Sequence, residues 1–322
     1  MHTSWIRAPV VTSLLGDPAA SETAVPLDFF VGQLEASRNA SANPLALWSL
    51  GEAIDLRSLG CLGEAVLNSP TLGKALRIFA QGFSVIQSNT QVQTLIDGNE
   101  THVTYRVLDP HIWPRRADAE LSLGLIRGIC AAFGLPRDAL RALGFEHQQD
   151  SDARPLAQHA GCALSFGHEE NRLTLPTQAL SQRRSPDPTP EAERQSLKML
   201  ESALTEQRRS APTSQRVRHI VLGQLGRSDV SQQAIALALG MSERSLRRAL
   251  ALEGRPFHEI LEECRRAQGF ALLIHSDRPL SEIALALGYS DQTAFSRAFS
   301  RWFGLSPLEI RRNGAIEESV IR

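Results

Sequence analysis

The stretch IALALGMS at residues 235–242 returns as IALALGYS at residues 283–290, forty-eight positions later. Ala/Leu low complexity would explain the repeat alone, so the flanks decide. In the first copy, SQQAIALALGMSERSLRRALALEG, Ser231 is placed to cap a short helix, and Ile235, Leu237 and Leu239 supply apolar contacts. Gly240 can take the left-handed conformation that stops that helix, and Ser242 then caps a second one. In the second copy, PLSEIALALGYSDQTAFSRAFSRWFG, Pro279 falls in the first turn, Gly288 marks the stop, and Ser290 with Asp291 opens the next helix. Two short helices joined by a tight Gly-containing turn make a helix-turn-helix, whose second helix enters the major groove of DNA.

The two second helices share a pattern. In one, Leu246, Ala249 and Leu250 form an inward stripe and leave Arg244, Arg247 and Arg248 outside; in the other, Phe295, Ala298 and Phe299 face in and leave Thr293, Ser296 and Arg297 outside. Pairing Leu-Arg-Arg-Ala-Leu with Phe-Ser-Arg-Ala-Phe shifts the register from 48 to 49, so the second unit carries one extra residue at its turn or helix start. Between the copies, PFHEILEECRRAQGFALLIHSD has apolar positions from Phe257 to Leu273 at helical spacing. A helix of that length spans about 30 Å, close to the ~34 Å repeat of successive major-groove faces. Gly269 inside it weakens the helix by about 1 kcal/mol.

Working outward, SQRRSPDPTPEAE alternates Pro186, Pro188 and Pro190 with polar residues and reads as an extended linker. Beyond it, Leu197, Leu200 and Leu204 line one face of an amphipathic helix that needs a partner, either its own domain or another subunit. Before it, NPLALWSLGEAI, PTLGKALRIFAQGFSVI and AELSLGLIRGICAAFGL read as helices. TQVQTLIDGNETHVTYRVL reads as a hairpin around Asp97-Gly98, and Leu173–Leu175 as a short strand. The first half is therefore expected to be an α+β domain and the last hundred residues all-α.

Composition agrees with a two-domain globular chain: 322 residues, 42% hydrophobic and 21% charged. The net charge of -1 hides an asymmetry, because residues 213–312 hold 14 Arg and no Lys against 10 acidic residues. A basic C-terminal unit on an acidic body suits nucleic acid. Cys61, Cys130, Cys162 and Cys264 are scattered without CxxC and are expected as buried free thiols in a reducing cytoplasm. No HExxH, GxSxG, GxxxxGK or GxGxxG occurs, so no catalytic residue, metal site or cofactor is expected. His168 beside Glu169 and Glu170 reads as a surface turn. Residues 1–21 only faintly echo an export signal, and the apolar run at 121–135 is too short for a bilayer and contains Arg127.

The C-terminal hundred residues resemble the DNA-binding domain of the AraC/XylS family of bacterial transcription regulators. IALALGYSDQTAFSRAFSRWFGLSPLEIRR carries the family signature, with Gly288, Phe295, Arg297, Phe299, Gly304, Pro307 and Arg311 in place. The resemblance implies Arg244, Ser245, Arg247 and Arg248 in the first unit, and Gln292, Thr293, Ser296 and Arg297 in the second, for contact with double-stranded promoter DNA. Gln232 departs from the family's usual apolar residue and Gly269 from its alanine. LGEAVLNSPTLGKALRIFAQ and HAGCALSFGHEENRLTLP are similar to the arabinose-binding-like sensor domain of some of these regulators, which implies a small-molecule effector and a dimerisation unit.

The expected organisation is an effector-binding and dimerisation domain at 1–185, a Pro-rich linker and amphipathic helix at 186–212, a double helix-turn-helix domain at 213–313 and a tail at 314–322. The expected function is an effector-responsive transcription regulator, an activator working with RNA polymerase as a homodimer in the cytoplasm, away from membranes. The rival is an enzyme with a helix-turn-helix appendage. Trp48, Phe79, Phe83 and Trp113 are candidates for either a ligand pocket or plain core. Amino acids, amines, fatty acids and aromatic acids are all open as effectors.

Overall fold

The computed structural model of the chain describes residues 4–7, 10–11, 24–149 and 153–313; the tail at 314–322 and most of the signal-like stretch lie outside them. Two compact units are present: one runs to Val107 and again from Ile112 to Arg208, and the other takes Leu108–His111 and the chain from Arg209 onward.

In the first unit, β1 (Trp5–Arg7) pairs antiparallel with β2 (Ala24–Pro26), which leads into α1 (Leu27–Ala40). Three helices follow: α2 (Ala46–Ala53), α3 (Cys61–Leu67) and α4 (Leu72–Gly82). Thr71 caps α4 by accepting from the Lys74 N–H at 3.3 Å, and Leu72, Ala75, Leu76 and Phe79 form its buried stripe. Strands β3 (Thr90–Asp97) and β4 (Glu100–Val107) form the expected hairpin. Its loop is Gly98–Asn99, between the paired Asp97 and Glu100, one residue later than the centre read from the sequence. The chain continues through α5 (Arg116–Ala132), β5 (Ala142–Gly144), α6 (Ala153–Ala160), β6 (Ala163–Ser165) and β7 (Asn171–Pro176). The five-stranded sheet runs β3-β4-β7-β5-β6, antiparallel except for β5 with β6. His168 lies in the β6–β7 connection, hydrogen-bonded to the Ser165 hydroxyl at 2.7 Å.

The apolar helix α5 runs through the middle of this unit and is buried on nearly every side. It meets α2 backbone to backbone: a Cβ on Gly51 would lie 2.2 Å from the Leu121 carbonyl oxygen, and one on Gly124 would lie 2.4 Å from that of Trp48. Neither position has room for a side chain.

The amphipathic helix α7 (Pro190–Ser210) finds its partner in the first unit. Leu200 is buried and Leu197 and Leu204 pack beside it in that unit's core. The Lys74 ammonium pairs with Glu193, and the Gln207 amide donates to the Ser84 carbonyl at 2.7 Å. The Pro-rich stretch bends at Ser185 and Pro186, where Arg183 pairs with Asp187 at 2.8 Å, and it does not close the unit, because the chain returns to it through α7.

The second unit is all helical. α8 (Thr213–Gln224) precedes the pair α9 (Gln232–Ala238) and α10 (Glu243–Leu252), then the long α11 (Phe257–His275). The pair α12 (Leu280–Ala286) and α13 (Gln292–Phe303) follows, and α14 (Pro307–Asn313) ends the described chain. Two separate cores hold these helices. The first gathers Val217, Val221, Ile235, Leu246 and Leu250 with Ile260 and Cys264 of α11. The second gathers Ile283, Leu287, Phe295, Phe299 and Ile310 with Leu273 of the same helix. One helix therefore gives its first half to one core and its second half to the other.

Among the described residues no helix is long and apolar enough to cross a membrane. All four cysteines are free. Cys130 and Cys264 are buried, with burial pushing each thiol up to about 12, whereas Cys61 and Cys162 are only half-buried, which corrects the expectation of four buried thiols.

Candidate nucleic-acid interface

Each helix-turn-helix is built by the local signals in its sequence. The Ser231 hydroxyl accepts from the Ala234 N–H at 3.2 Å, and the Ser242 hydroxyl accepts from the Ser245 N–H at 3.1 Å. In the second unit Asp291 is the cap, accepting from the Ala294 N–H at 2.8 Å. That N–H, with the Ser290 hydroxyl, holds the Asp291 carboxyl below the usual carboxylate range. Pro279 sits just ahead of α12 as its N-terminal flank, not within the first turn. Gly240 (φ 67°) and Gly288 (φ 72°) are both left-handed, a conformation costing an ordinary residue about 1–2 kcal/mol. The extra residue of the second copy lies in the turn: Met241 and Ser242 bridge Gly240 to α10, and Tyr289, Ser290 and Asp291 bridge Gly288 to α13.

The inward stripes hold. Leu246, Leu250, Phe295, Ala298 and Phe299 are buried, and Ala249 is half-buried. Arg244, Ser245, Arg247 and Arg248 are all exposed on α10. Arg247 pairs with Glu243 one turn back at 3.0 Å, whereas Arg244 and Arg248 make no ion pair among the described residues. The Ser245 hydroxyl sits 2.8 Å from that of Ser242, inside the cap. On α13, Gln292, Thr293 and Arg297 are exposed and Ser296 is half-buried. The geometry thus brings four residues to one face of each second helix.

One expected contact fails. Leu237, read as apolar support, is 81% exposed, and its counterpart Leu285 in the second copy is 60% exposed. A seven-residue helix makes only two turns, and the third position of the repeat points away from the core that its first position enters.

Several positioning contacts have no local signature. Arg265, on α11, donates from Nε to the Leu287 carbonyl at 3.1 Å and lies over the Tyr289 ring at 4.9 Å, satisfying the C-terminal end of α12. Glu262 accepts from Arg301 at 2.6 Å and from the Trp302 indole at 2.8 Å. Glu253, just after α10, accepts from the Thr213 and Ser214 N–H groups at 2.7 and 2.9 Å and so caps α8.

The first unit holds a small, partly open cavity of about 30 Å³. Of the aromatic candidates only Phe83 lines it; Trp48 and Phe79 are plain core, and Trp113 is half-buried with the Arg115 guanidinium 5.3 Å from its ring. Asp118 reaches the cavity and accepts from the Tyr105 hydroxyl at 2.7 Å. Burial pushes its carboxyl up to about 7, against the Tyr105 hydrogen bond and the Arg115 charge. Among the described residues no group of three or more His, Cys, Asp or Glu is placed to hold a metal ion.

An α+β unit followed by two helix-turn-helix units that share one helix is the build of a DNA-binding transcription regulator. Residues 7–183 match the family described as the arabinose-binding domain of AraC transcription regulator, N-terminal, and residues 235–313 match a helix-turn-helix domain family. The chain belongs to the AraC family. The HTH-type transcriptional regulator VirS of Mycobacterium tuberculosis is 30% identical, over 89% of this chain and 84% of its own. The ornithine utilization regulator of Pseudomonas aeruginosa is 29% identical, over 88% and 83%. The crystal structure of the transcriptional regulator CdpR from Pseudomonas aeruginosa covers 95% of this chain and 96% of its own at 22% identity, with a TM-score of 0.44.

Proposed function

We propose that each chain reads two successive major-groove segments, through Arg244, Ser245, Arg247 and Arg248 in one and Gln292, Thr293, Ser296 and Arg297 in the other. The observation that carries this reading is the exposure of Arg244 and Arg248 without an ion-pair partner among the described residues, on the helix whose opposite face is core. An arginine free of carboxylates can address guanine edges or phosphates without first breaking a pair. The N-terminal domain is read as the effector-binding and dimerisation unit. The regulator is read as a cytoplasmic homodimer that activates transcription with RNA polymerase, the effector favouring one of two states by differential affinity. Residues 213–313 are read as the DNA-binding domain proper.

Footprinting of Arg248→Ala and Arg297→Ala on one operator tests the two-segment mode. Each should lose protection at a different segment about 10 base pairs apart, with folding intact because both side chains face outward. Loss of the same segment in both, or of none, refutes it. Arg248→Ala should also relax preference at one base pair, by roughly 1–3 kcal/mol.

A further inference from the structure

The sheet of the first unit leaves one long strand open. In the order β3-β4-β7-β5-β6, β3 stands at an edge. Asp97 and Glu100 pair next to the two-residue loop, so Asp97, Leu95, Gln93 and Gln91 bond to β4 and the residues between them point outward. No backbone hydrogen bond among the described residues reaches the outward groups of Val92, Thr94 and Ile96. β1 meets this side of the chain just before β3, at Gln87 and Ser88. Free edges are ordinarily guarded by Lys, Pro or a bulge. This one runs eight residues in unbroken register with β4, and Thr90–Ile96 holds no charge and no proline.

Two apolar residues near the tip are exposed, Leu95 at 48% and Ile96 at 60%. Ile96 shares its face of the strand with the buried Thr90 and Val92, yet has no cover of its own. The two ends of the hairpin also differ in charge. Asp97 and Glu100 stand at the tip, whereas near the base Arg106 leans toward the edge and donates from Nη2 to the Gln91 side chain at 3.3 Å. A second β3 laid antiparallel along this edge must pair outward-pointing residues with each other and keep like faces together. A two-fold axis at Thr94 meets both conditions and uses all three open residues: Thr94 opposes its own copy, Val92 opposes Ile96, and Gln91 opposes Asp97 of the other chain. Asp97 of each copy then lies beside Gln91 of the other, within the span of Arg106. The two Leu95 side chains become diagonal neighbours.

We propose that β3 is the dimerisation edge: a second copy of this chain pairs with it antiparallel about a two-fold axis at Thr94, and the two five-stranded sheets become one. This rests on the reading of the first unit as a dimerisation domain and names its surface. The pairing gives partners to the open backbone groups of Val92, Thr94 and Ile96 and covers Ile96 and Leu95. It also sets the acidic tip of each hairpin against Arg106 of the other, so that the charges select this antiparallel register.

The test uses the full chain, with sedimentation over a concentration series for the dimer constant and oxidative cross-linking for the register. Thr94→Cys should give a disulfide-linked dimer under mild oxidant, because opposed residues of a hydrogen-bonded pair stand about 5.5 Å apart at Cα. Ile96→Cys should not, since in this register it lies about 14 Å along the strands from its own copy. The parent, with its four native thiols, is the control and should not cross-link. Asp97→Arg should weaken dimerisation roughly tenfold while circular dichroism stays native, because two exposed charge pairs turn repulsive, and adding Arg106→Asp should restore it. Should Thr94→Cys fail to fold, the charge reversal and its rescue decide alone. Cross-linking by Ile96→Cys and not by Thr94→Cys, or a dimer constant indifferent to Asp97→Arg, overturns this pairing and leaves the dimerisation reading standing. A parent that stays monomeric at every concentration overturns both.

Discussion

Arg265 donates to the Leu287 carbonyl at 3.1 Å across twenty-two positions of sequence, tying the strut between the two DNA-reading units to the end of α12. It supplies what the last turn of α12 lacks, a donor for a free carbonyl, and adds a cation over the Tyr289 ring. Arg265→Met keeps most of the stem and removes both. The second helix-turn-helix should lose about 2 kcal/mol of local stability, from a charged hydrogen bond and a half-buried cation–π contact. Hydrogen exchange should show this as faster exchange in α12 and α13 with α9 and α10 unchanged. Equal acceleration in all four would mean that the two cores unfold as one.

Gly269 was read as a weakness, and the structure gives it a purpose. A Cβ there would meet Leu287 Cδ1 at 3.0 Å and Phe295 Cε2 at 3.4 Å, so the glycine lets α11 press on the second helix-turn-helix. Gly269→Ala should change stability by less than about 1 kcal/mol, because the gain in helix propensity offsets a tight contact with the end of a leucine. Gly269→Leu should cost more than about 2 kcal/mol by forcing the two apart. Thermal denaturation of both variants distinguishes close packing from a tolerated defect, since an unaffected Gly269→Leu would exclude the former.

Glu243 holds Arg247 at 3.0 Å on the face of α10 proposed to meet DNA. The pair is exposed and contributes little to stability. Its carboxylate, however, sits among the arginines that would approach phosphates. Glu243→Gln should tighten operator binding several-fold at low salt, and the gain should shrink as salt rises. Fluorescence anisotropy over a salt series measures this. A variant that binds more weakly at every salt concentration would make Glu243 itself a base-reading residue.

Asp118 titrates at about 7 in the folded chain, against about 3.9 for an unfolded aspartate. The native state holds the proton more tightly across that window, so this residue favours folding most below about pH 4, and the advantage drains away as pH rises through 7. His147, lowered to about 4 by burial, works the other way between about 4 and 6.5. Comparison of the parent with Asp118→Asn removes that background. The variant should gain on the parent by roughly 4 kcal/mol between pH 4 and pH 8 in urea denaturation. A difference that stays constant over this range would mean that Asp118 titrates as an ordinary surface carboxylate.

What could be read without coordinates was whatever closes within one or two helical turns. The caps Ser231, Ser242 and Asp291, the stops Gly240 and Gly288, and the stripe Leu246–Leu250 depend on neighbours three or four residues away, and the letters declare them. Arg265, Glu253 and Glu262 look like ordinary surface charges, because their partners lie 22, 39 or 40 and 39 or 40 positions away. The same limit left α7 without an address: Leu197, Leu200 and Leu204 announced a partner, and only the fold set it against Gly82 and the first unit's core. Leu237 misled for a different reason, since hydrophobicity in a two-turn helix does not say which turn faces inward. Asp118 gave no sign at all, sitting in the acidic first turn of α5 where an exposed helix-favouring aspartate is the ordinary expectation.

The sharing of α11 between two cores makes that helix a phase-setting axle as well as a spacer. Each residue of an α-helix adds about 1.5 Å and turns the chain by about 100°. One residue inserted between Cys264 and Arg265 would therefore barely lengthen the strut, yet it would rotate one helix-turn-helix by more than a quarter turn about the axis while each core still closed on its own half. If each unit reads its own operator segment as proposed, the number of residues in α11 and the number of base pairs between those segments would have to change together.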